Sequence, residues 1–509
     1  MRKKISLITL TFLLAQIPLM AQSEVPFEEI LKRIGSGERE FENLTIVQLG
    51  DPSENDTIKF EHGITFRQCT FKHLWLYNIQ SKRFLRFTNC SFLENWSFIP
   101  FSLMIEKCHF EKVEIINSTI EYPFRIQSSS FAPVQEASLE ITNSQIPEIT
   151  IEKSLFHGLY LIDNQITTCD IVNNEFRSID RSSLLLGDPL FLTTLHIRQE
   201  SIERLSIAEN KFRVAVNDWK PTFLKLNTTA TNLNLSNNKV SIDTDLRNLV
   251  VTNQFVIEEN TFDKRVLLGK TTFSEVFNIV PFRQFVGNKI ALVKEEGGNN
   301  PNYNDKKINI LNQDTIDLAV ESDFLRLLRV YQNLLDIYKQ SGDLSSWNLA
   351  YKEKKNMETK RLKYEYIAVS SFENFFKWRL NQFILLFSDF GTNPAKAVKI
   401  SFYIILLFSF IYFLFPSDWD KESKAGMLKL LKDKLMNKNE TEGSFFRLII
   451  LFTLGIINAL TLSINAFTTL GFGTIPTTGI PRYIAVFQGF IGWFLLSIFT
   501  VALINQVLF

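Results

Sequence analysis

The sequence predicts a multidomain membrane protein in which an N-terminal β-solenoid precedes a helical membrane domain. Three observations predict this fold class. A short polar phrase that ends on Phe or Ile recurs at a near-constant period between about residues 60 and 290, as in proteins built from stacked coils. Long apolar stretches near the C-terminus match the length of a membrane-spanning helix. The 509 residues also exceed the size of one ordinary domain.

The first residues, MRKKISLITLTFLLAQIPLMAQSE, resemble a secretory signal. A basic start, Arg2 to Lys4, precedes an apolar run, and small residues around Ala21 offer a cleavage site. We assign residues 1–21 to a signal peptide and residues 22–59 to an entry segment of the repeat domain. An uncleaved anchor helix is the alternative, although the apolar run is shorter than the roughly 20 residues that span a bilayer.

Residues 60–296 carry the repeated phrase, for example as TNCSF, INSTI and VNNEF. Its last residue recurs about every 10 positions, with a doubled period of about 20, and the spacing loosens later. These last residues are Phe71, Phe92, Phe110, Ile120, Phe131, Ile146, Phe156, Ile166, Phe176, Phe212, Val240, Phe262 and Ile290. A unit of this size forms one or two short strands and a turn, and it buries its apolar face only by stacking on neighbouring units.

The residues that precede each terminal Phe or Ile suit the corners of such a stack. Small and amide side chains fit tight corners and can form ladders between successive coils, while Phe and Ile stack in the interior. This pattern resembles pentapeptide-repeat and related right-handed β-helix proteins, although their strict alanine-asparagine-leucine pattern is absent. We therefore predict a right-handed β-solenoid. A leucine-rich repeat is the alternative, because LNLSNNKV (Leu233 to Val240) would also suit that fold.

The repeat region shows no pattern typical of a catalytic or metal site. The five histidines stand alone in the sequence, and the four cysteines have no zinc-ligand spacing. Cys69, Cys90, Cys108 and Cys169 either pair in an exported domain or form a buried series of free thiols. We therefore expect no enzyme, no metal and no cofactor, with a β-helix carbohydrate enzyme as a third hypothesis. The ligand of the solenoid stays unknown.

The charge balance excludes a typical nucleic-acid-binding protein. The 55 Lys and Arg residues nearly equal the 54 Asp and Glu residues, and no basic block is interleaved with aromatic residues. Domains that bind nucleic acid normally carry a basic surplus, so we expect no nucleic acid among the partners.

A helical region follows the repeats. Residues 297–320 form a turn-rich linker, and residues 321–366 predict a helical hairpin whose first helix is broken by SGD. The basic stretch in the second helix indicates either a solvated face or a surface that attracts anionic lipid. Residues 367–397 form an amphipathic juxtamembrane segment, because their charged residues favour an interfacial helix over a spanning one.

Residues 398–509 form the predicted membrane domain, whose partner is the lipid bilayer. The transmembrane segment 398–415 covers roughly 27 Å, and segment 483–504 contains Gln488 as its only strongly polar residue. Between them lies TTLGFGTIPTTG, residues 468–479. Irregular backbone at membrane depth is tolerated only where protein or water covers it, so this stretch implies a water-filled path.

The polar stretch resembles the T-V-G-Y-G selectivity filter of potassium channels, and the resemblance extends from about residue 445 to residue 509. The whole chain looks like proteins that fuse pentapeptide-type repeats to a two-helix channel pore. The resemblance implies a pore helix at 457–467, a filter at 468–474 whose carbonyl oxygens replace the hydration shell of K⁺, and a homotetramer that surrounds the ion. It assigns ion-conducting positions to Thr468, Thr469, Leu470, Gly471, Phe472 and Gly473.

Two positions depart from the potassium-channel pattern. Phe472 lacks the phenol hydroxyl of the usual tyrosine, and Thr474 stands where an aspartate commonly follows. We therefore expect conduction of K⁺ or, less selectively, of monovalent cations. In the last helix, Gly489 and Gly492 form either a gating hinge or sites of close helix packing.

The membrane topology leaves two questions open. Hydropathy counts three segments, because residues 445–465 are also apolar, whereas the resemblance requires two helices and a re-entrant half. A cleaved signal places the solenoid in the periplasm or outside the cell, but a two-helix channel needs its N-terminal side in the cytoplasm. We expect a multi-pass channel of the cell (inner) membrane with the solenoid as sensor or scaffold. The alternative is a membrane-anchored exported solenoid that binds or adheres without conduction.

Overall fold

The computed structural model describes residues 24–52, 57–93, 101–132, 137–178, 192–214, 222–291, 318, 320–415, 421–436, 444–468 and 479–507. The chain divides into two compact units, and each is considered by itself. The first comprises residues 1–299 with 325–330, and the second comprises residues 300–324 with 331–509. The predicted signal peptide and most of the predicted linker lie outside the described residues.

The described part of the first unit contains thirty strands that belong to one sheet and pair in parallel between successive turns. The first fifteen are β1 (Glu24–Pro26), β2 (Glu40–Glu42), β3 (Thr45–Val47), β4 (Ile58–Phe60), β5 (Ile64–Arg67), β6 (Thr70–Lys72), β7 (Leu74–Tyr77), β8 (Ile79–Thr88), β9 (Ser91–Leu93), β10 (Leu103–Glu106), β11 (His109–Ile116), β12 (Thr119–Ile120), β13 (Phe124–Gln127), β14 (Ser130–Phe131) and β15 (Leu139–Thr142). The others are β16 (Gln145–Glu152), β17 (Leu155–Phe156), β18 (Leu159–Ile162), β19 (Gln165–Val172), β20 (Glu175–Arg177), β21 (Leu192–Ala208), β22 (Lys211–Arg213), β23 (Thr222–Ser236), β24 (Lys239–Val240), β25 (Asp243–Asp245), β26 (Val250–Glu258), β27 (Thr261–Phe262), β28 (Val266–Leu267), β29 (Phe277–Ile279) and β30 (Ile290–Ala291).

These strands wind into a β-solenoid of about nine turns, which confirms the preferred interpretation of the repeats. In the most regular part, Leu139 lies opposite Leu159 and Gln145 opposite Gln165, so one turn takes the expected 20 residues. In the later turns the spacing between successive phrases increases, and the extra residues lie between the paired strands. Phe176 still lies opposite Phe212, although residues 179–191, which lie outside the described part, separate the two strands.

The repeated phrase encodes the corners of the solenoid. Asn117, Asn143 and Asn173 adopt left-handed backbone conformations with φ of 50°, 50° and 55°, which asparagine tolerates better than most residues. The next residue of each phrase, for example Ser118, is buried and bonds to the neighbouring turn. The final Phe or Ile then enters the core, which explains why the phrase recurs.

Two ladders of side chains run along these corners, as expected. In the first, backbone N–H groups donate to the next side chain from Cys90 through Ser118 and Ser144 to Asn164, at 2.9–3.1 Å. The second ladder ends in asparagines, and its members are Cys108, Ser129, Ser154, Asn174, Asn210, Asn238 and Asn260. All four cysteines are buried and free, so the structure matches the free-thiol alternative.

Phenylalanine rings stack along the interior. The ring centroids of Phe131, Phe156, Phe176 and Phe212 lie 4.7, 5.4 and 4.7 Å apart in succession, with nearly parallel planes. Offset stacking of this kind adds to the gain from burial. The core of the solenoid is therefore continuous from turn to turn.

The solenoid begins earlier than the predicted limit at residue 60. Strand β1 pairs with β3, and β2 pairs with β5, so the strands between residues 24 and 47 belong to the first turns rather than to a separate entry segment. Helix α1 (Phe27–Gly35) buries Phe27 and Ile30 at this end. The sequence analysis missed these turns because their variant of the phrase, ENLTI, has Leu44 where the later phrases have a small or amide residue, although Asn43 has the corner φ of 55°. At the other end a 3₁₀ turn, Phe282–Phe285, precedes β30.

The remaining helices follow in chain order: α2 (Glu321–Ser341), α3 (Leu344–Ala368), α4 (Phe372–Ser388), α5 (Pro394–Leu414), α6 (Lys421–Leu435), α7 (Ser444–Thr468) and α8 (Ile480–Val507). Gly342 ends α2 with a φ of 69°, and the Asp343 carboxylate caps α3, so the SGD break has a local cause. The hydroxyl of Tyr331 in α2 donates to Glu353 in α3 at 2.9 Å.

Three helices are long and apolar enough to cross a membrane: Pro394–Leu414, Phe446–Thr468 and Ile480–Ile504. The predicted segment 398–415 therefore coincides with α5 up to Leu414, and the predicted segment 483–504 lies within α8. The predicted pore helix, residues 457–467, is the second half of one continuous 25-residue helix, α7.

Candidate functional site

The described residues include only one end of the predicted filter. Thr468 is the exposed last residue of α7. Residues 469–474, which include Thr469, Leu470, Gly471, Phe472 and Gly473, lie outside the described residues. The site is therefore defined by the helices on either side of it.

Helix α5 runs antiparallel to α7. The Ser463 hydroxyl of α7 donates to the carbonyl of Ile405 at 2.8 Å, while the rings of Phe413 and Phe452 lie 5.4 Å apart. Residue numbers thus rise along α5 as they fall along α7.

Helix α8, in contrast, runs in the same direction as α7. The Gln488 amide of α8 donates to the Ser463 hydroxyl at 2.8 Å. One helical turn later in both helices, Gly492 contacts the carbonyl of Phe467. Two helices joined by a short hairpin would be antiparallel, so α7 and α8 are not such a hairpin.

Helix α7 ends beside the middle of α8. A rise of 1.5 Å per residue places Gly492, the contact of Phe467, about 18 Å from the start of α8 at Ile480. Residues 469–478 connect Thr468 to Gly479, and ten residues reach up to about 33 Å. The start of α8 therefore lies behind the level at which α7 ends, by roughly half the length of α8 and within reach of ten residues.

The described contacts between α7 and α5 begin at Phe452, whose ring lies 5.4 Å from that of Phe413. Gly455 packs against the ring of Phe413, 3.2 Å from where its Cβ would be, and α5 ends at Leu414. From residue 452 to residue 468, α7 rises by about 24 Å, which is less than the roughly 30 Å of a bilayer core. Hydropathy therefore counts α7 as a third candidate span, although its contact with α5 covers less than the thickness of a bilayer core.

A polar centre joins the three helices. The Tyr412 hydroxyl of α5 donates to the Gln488 side-chain oxygen at 2.8 Å, and the Gln488 amide donates to the Ser463 carbonyl at 3.0 Å as well as to its hydroxyl. All three side chains are almost completely buried. The sequence singled out Gln488 as polar but could not identify its partners.

The two glycines of the predicted hinge are buried in α8, which is continuous through both. Gly492 fits the alternative reading of close helix packing, because a Cβ there would lie 2.9 Å from the carbonyl carbon of Phe467. Whether either glycine bends during gating stays a prediction.

A second cluster lies where α4 meets α5. Asp389, Phe390 and Gly391 are three successive residues with positive φ, and the Asp389 carboxylate pairs with Lys352 at 3.0 Å and Lys396 at 2.9 Å. Burial acts to raise the pKa of Asp389, but the hydrogen bonds from the two lysines outweigh it and lower the pKa below its ordinary value. The sequence indicated only a break here.

Helix α4 also contacts the membrane helices. Phe387 packs in one apolar cluster with Phe467 of α7 and Leu495 of α8. Near the start of α4, Phe372 and Phe376 are exposed, as an interfacial helix requires. The end of α4 is therefore in contact with the residue that precedes Thr468.

The described part of the solenoid contains no group of three or more His, Cys, Asp or Glu side chains that could hold a metal ion. His196 is half-buried between Tyr160 and Lys225, and burial together with Lys225 lowers its pKa to about 4. A groove of about 810 Å³ runs across the turns and is lined by polar residues such as Gln145, Gln165 and Glu200.

Neither a protein-family model nor a curated protein nor a solved structure matches this chain. The function is therefore argued from the geometry of the membrane helices.

Proposed function

We propose that the protein is a cation channel of the potassium-channel type. The observation that carries the proposal is the parallel direction of α7 and α8, with the end of α7 beside the middle of α8. A re-entrant half-helix, a returning filter and a long inner helix require this arrangement, whereas three simple spans do not. In this proposal Phe445 to Ile456 approach the membrane and residues 457–467 form the pore helix.

The end of α7 offers a favourable environment for a cation. The carbonyl groups of a helix C-terminus carry roughly half a negative elementary charge, and half-helix C-terminal ends coordinate cations in membrane proteins. Helix α7 carries no acidic residue, so this partial charge does not depend on a titrating group.

The filter chemistry follows from the residues at 468–474. Carbonyl oxygens of Thr469 to Gly473 would replace the hydration shell of K⁺, and Gly471 and Gly473 would let the backbone turn them inward. With Phe472 and Thr474 in place of the usual tyrosine and aspartate, we propose conduction of K⁺ or, less selectively, of other monovalent cations. One filter strand per subunit requires a homotetramer.

The other parts of the chain receive supporting roles. Exposed apolar side chains on α5 and α8, such as Phe410 and Phe490, suit contact with lipid or with neighbouring subunits in the cell (inner) membrane. A hairpin of α2 and α3 would connect the pore to the solenoid, which acts as sensor or scaffold. The side of the membrane on which the solenoid lies depends on whether the predicted signal is cleaved.

A second candidate is a membrane-anchored solenoid that binds a ligand without conducting ions. The polar groove at Gln145, Gln165 and Glu200 favours it, and three apolar helices are sufficient for anchoring.

Ion flux decides between the two candidates. The full chain is reconstituted in liposomes, and K⁺ and Na⁺ flux is measured for the parent protein and for Gly471→Ala and Gly473→Asp. Gly426→Ala is the matched control, because a Cβ added at Gly426 would lie 3.7 Å from the Leu451 side chain, which is an ordinary van der Waals distance. We expect K⁺ flux in the parent and the control and its loss in both filter variants. A well-folded oligomer without flux above protein-free liposomes would overturn the channel proposal.

A further inference from the structure

The amide of Gln488 makes the only described side-chain hydrogen bonds between α8 and α7. It donates to both the hydroxyl and the carbonyl of Ser463, and it accepts from Tyr412 of α5. Ser463 in turn donates to the carbonyl of Ile405. The four groups form a chain of hydrogen bonds across α5, α7 and α8.

We propose that Gln488 is the positioning residue that holds α7 in register with α8 and thereby sets the depth at which the filter begins. The inference rests on the proposed function, because it concerns the filter of that channel. Gln488 and Gly492 lie one turn apart on α8, and their contacts, Ser463 and Phe467, lie one turn apart on α7.

The physical reason is that apolar packing specifies axial register weakly. Apolar side chains such as Ala459, Leu462 and Ala485 surround the polar centre, and non-directional contacts of this kind allow helices to slide. A hydrogen bond has a narrow range of length and angle. Moving α7 by one turn would break both bonds from Gln488 and leave its amide unpaired in an apolar environment.

The position of Ser463 carries this constraint to the filter. Ser463 lies five residues before Thr468 on the same continuous helix, so a displacement of Ser463 moves Thr468 with it. The missing side chain of Gly492 lets α8 approach α7 closely at Phe467, but glycine supplies no directional side-chain bond that would fix the register.

Two substitutions test the inference in the full-length tetramer: Gln488→Leu, which removes the amide, and Ser463→Ala, which removes only the hydroxyl. Ser463→Thr retains the hydroxyl and is the rescue variant. Thr461→Val is the matched control, because the Thr461 hydroxyl is exposed and bonds only to Ile457 of its own helix.

The first readout is the ratio of K⁺ to Na⁺ permeability in liposomes. We expect Gln488→Leu to lower it by about tenfold, in line with the loss of a buried hydrogen-bonded contact, and Ser463→Ala to lower it less. Ser463→Thr and Thr461→Val should retain the parental ratio. A purely structural role would reduce the yield of tetramer but leave the ratio of the assembled protein unchanged, and that result overturns the inference.

The second readout is hydrogen exchange of the amides from Ser463 to Thr468, which does not depend on conduction. We expect about tenfold faster exchange there in Gln488→Leu than in Thr461→Val. Exchange equal to that of the control overturns the inference. If the parent protein conducts no ions, the channel proposal fails, whereas exchange still decides whether Gln488 positions α7.

Discussion

The carbonyl of Phe467 packs directly against Gly492, and a Cβ added to the glycine would overlap the carbonyl oxygen and lie 2.9 Å from the carbonyl carbon. Because backbone cannot rotate away as a side chain does, α7 and α8 approach this closely only with glycine at position 492. The contact joins the end of α7 to the middle of α8.

We therefore expect Gly492→Ala to destabilise the membrane helices by about 1–3 kcal/mol, the usual cost of overpacking. Thermal unfolding in detergent, followed by helical circular dichroism, measures the effect, and Gly426→Ala should behave like the parent. A hinge role at Gly489 or Gly492 predicts a different result: alanine there would alter channel opening with the melting temperature unchanged.

The asparagine ladder makes Asn210 important for the solenoid. Its side-chain oxygen accepts from the Asn174 N–H at 2.8 Å and its amide donates to the Ile171 carbonyl at 2.8 Å. Asn210→Ala removes both bonds and leaves the buried Asn174 N–H without this partner, so we expect a loss of about 1–3 kcal/mol.

The urea midpoint of the β-sheet circular dichroism signal checks this expectation. Asn234→Ala is the matched control, because Asn234 is half-buried and makes one long bond of 3.5 Å to Ser206. Equal midpoints for the two variants would show that the ladder does not stabilise the fold.

The cluster at Asp389 predicts a dependence on acid. Burial acts to raise the pKa of this carboxyl, but the hydrogen bonds from Lys396 and Lys352 lower it by a larger amount. The folded pKa therefore lies below the ordinary value of 3.8. A depressed pKa contributes stability that is present above the unfolded pKa and is lost as the pH falls through the folded pKa.

Asp389→Asn should therefore be less stable than the parent at pH 7, by about 1–3 kcal/mol for the loss of charged hydrogen bonds, and the difference should shrink as the pH falls below 3.8 and through the lowered folded pKa. Melting temperatures across this pH range provide the measurement. Glu373→Gln serves as the control, since Glu373 pairs with Lys377 on the exposed face of α4 and such pairs contribute little. A gap that persists in acid would assign the effect to packing.

The four cysteines predict a simple titration. All are buried and free. Burial raises the pKa of the Cys108 thiol to about 12, whereas the hydrogen bond with Cys90 lowers the pKa of Cys69. Because each of the four side chains is at most 2% exposed, none presents an accessible thiolate. We expect no reaction with a thiol reagent at pH 8 in the folded protein and reaction of all four thiols in denaturant without reductant. Fewer than four would reveal a disulfide and support passage through an oxidising compartment.

The solenoid was predictable because its signal is local. Each phrase contains the corner residue with positive φ, the ladder residue and the core residue within five positions, as in Asn173, Asn174 and Phe176. The first turns escaped prediction because their variant of the phrase, ENLTI, has Leu44 at the ladder position. Its pairing with β6, in which Ile46 lies opposite Phe71, identifies it as a corner of the solenoid.

The membrane site was predictable only in part. Local composition identifies α5 and α8 as apolar helices, and it identifies residues 468–479 as a polar stretch between apolar segments. The partners of Gln488 lie 25 and 76 residues away along the chain, and those of Asp389 lie 7 and 37 residues away. No spacing rule connects these residues.

The amino-acid pattern alone was sufficient for the coil period, the corners and the apolar lengths, because each depends on neighbours along the chain. The direction of α7 relative to α8, and the depth at which α7 ends, depend on the contacts of Ser463 with Gln488 and of Phe467 with Gly492. Hydropathy measures how long a segment is and not which way it packs, so these two properties emerge only from the folded helices.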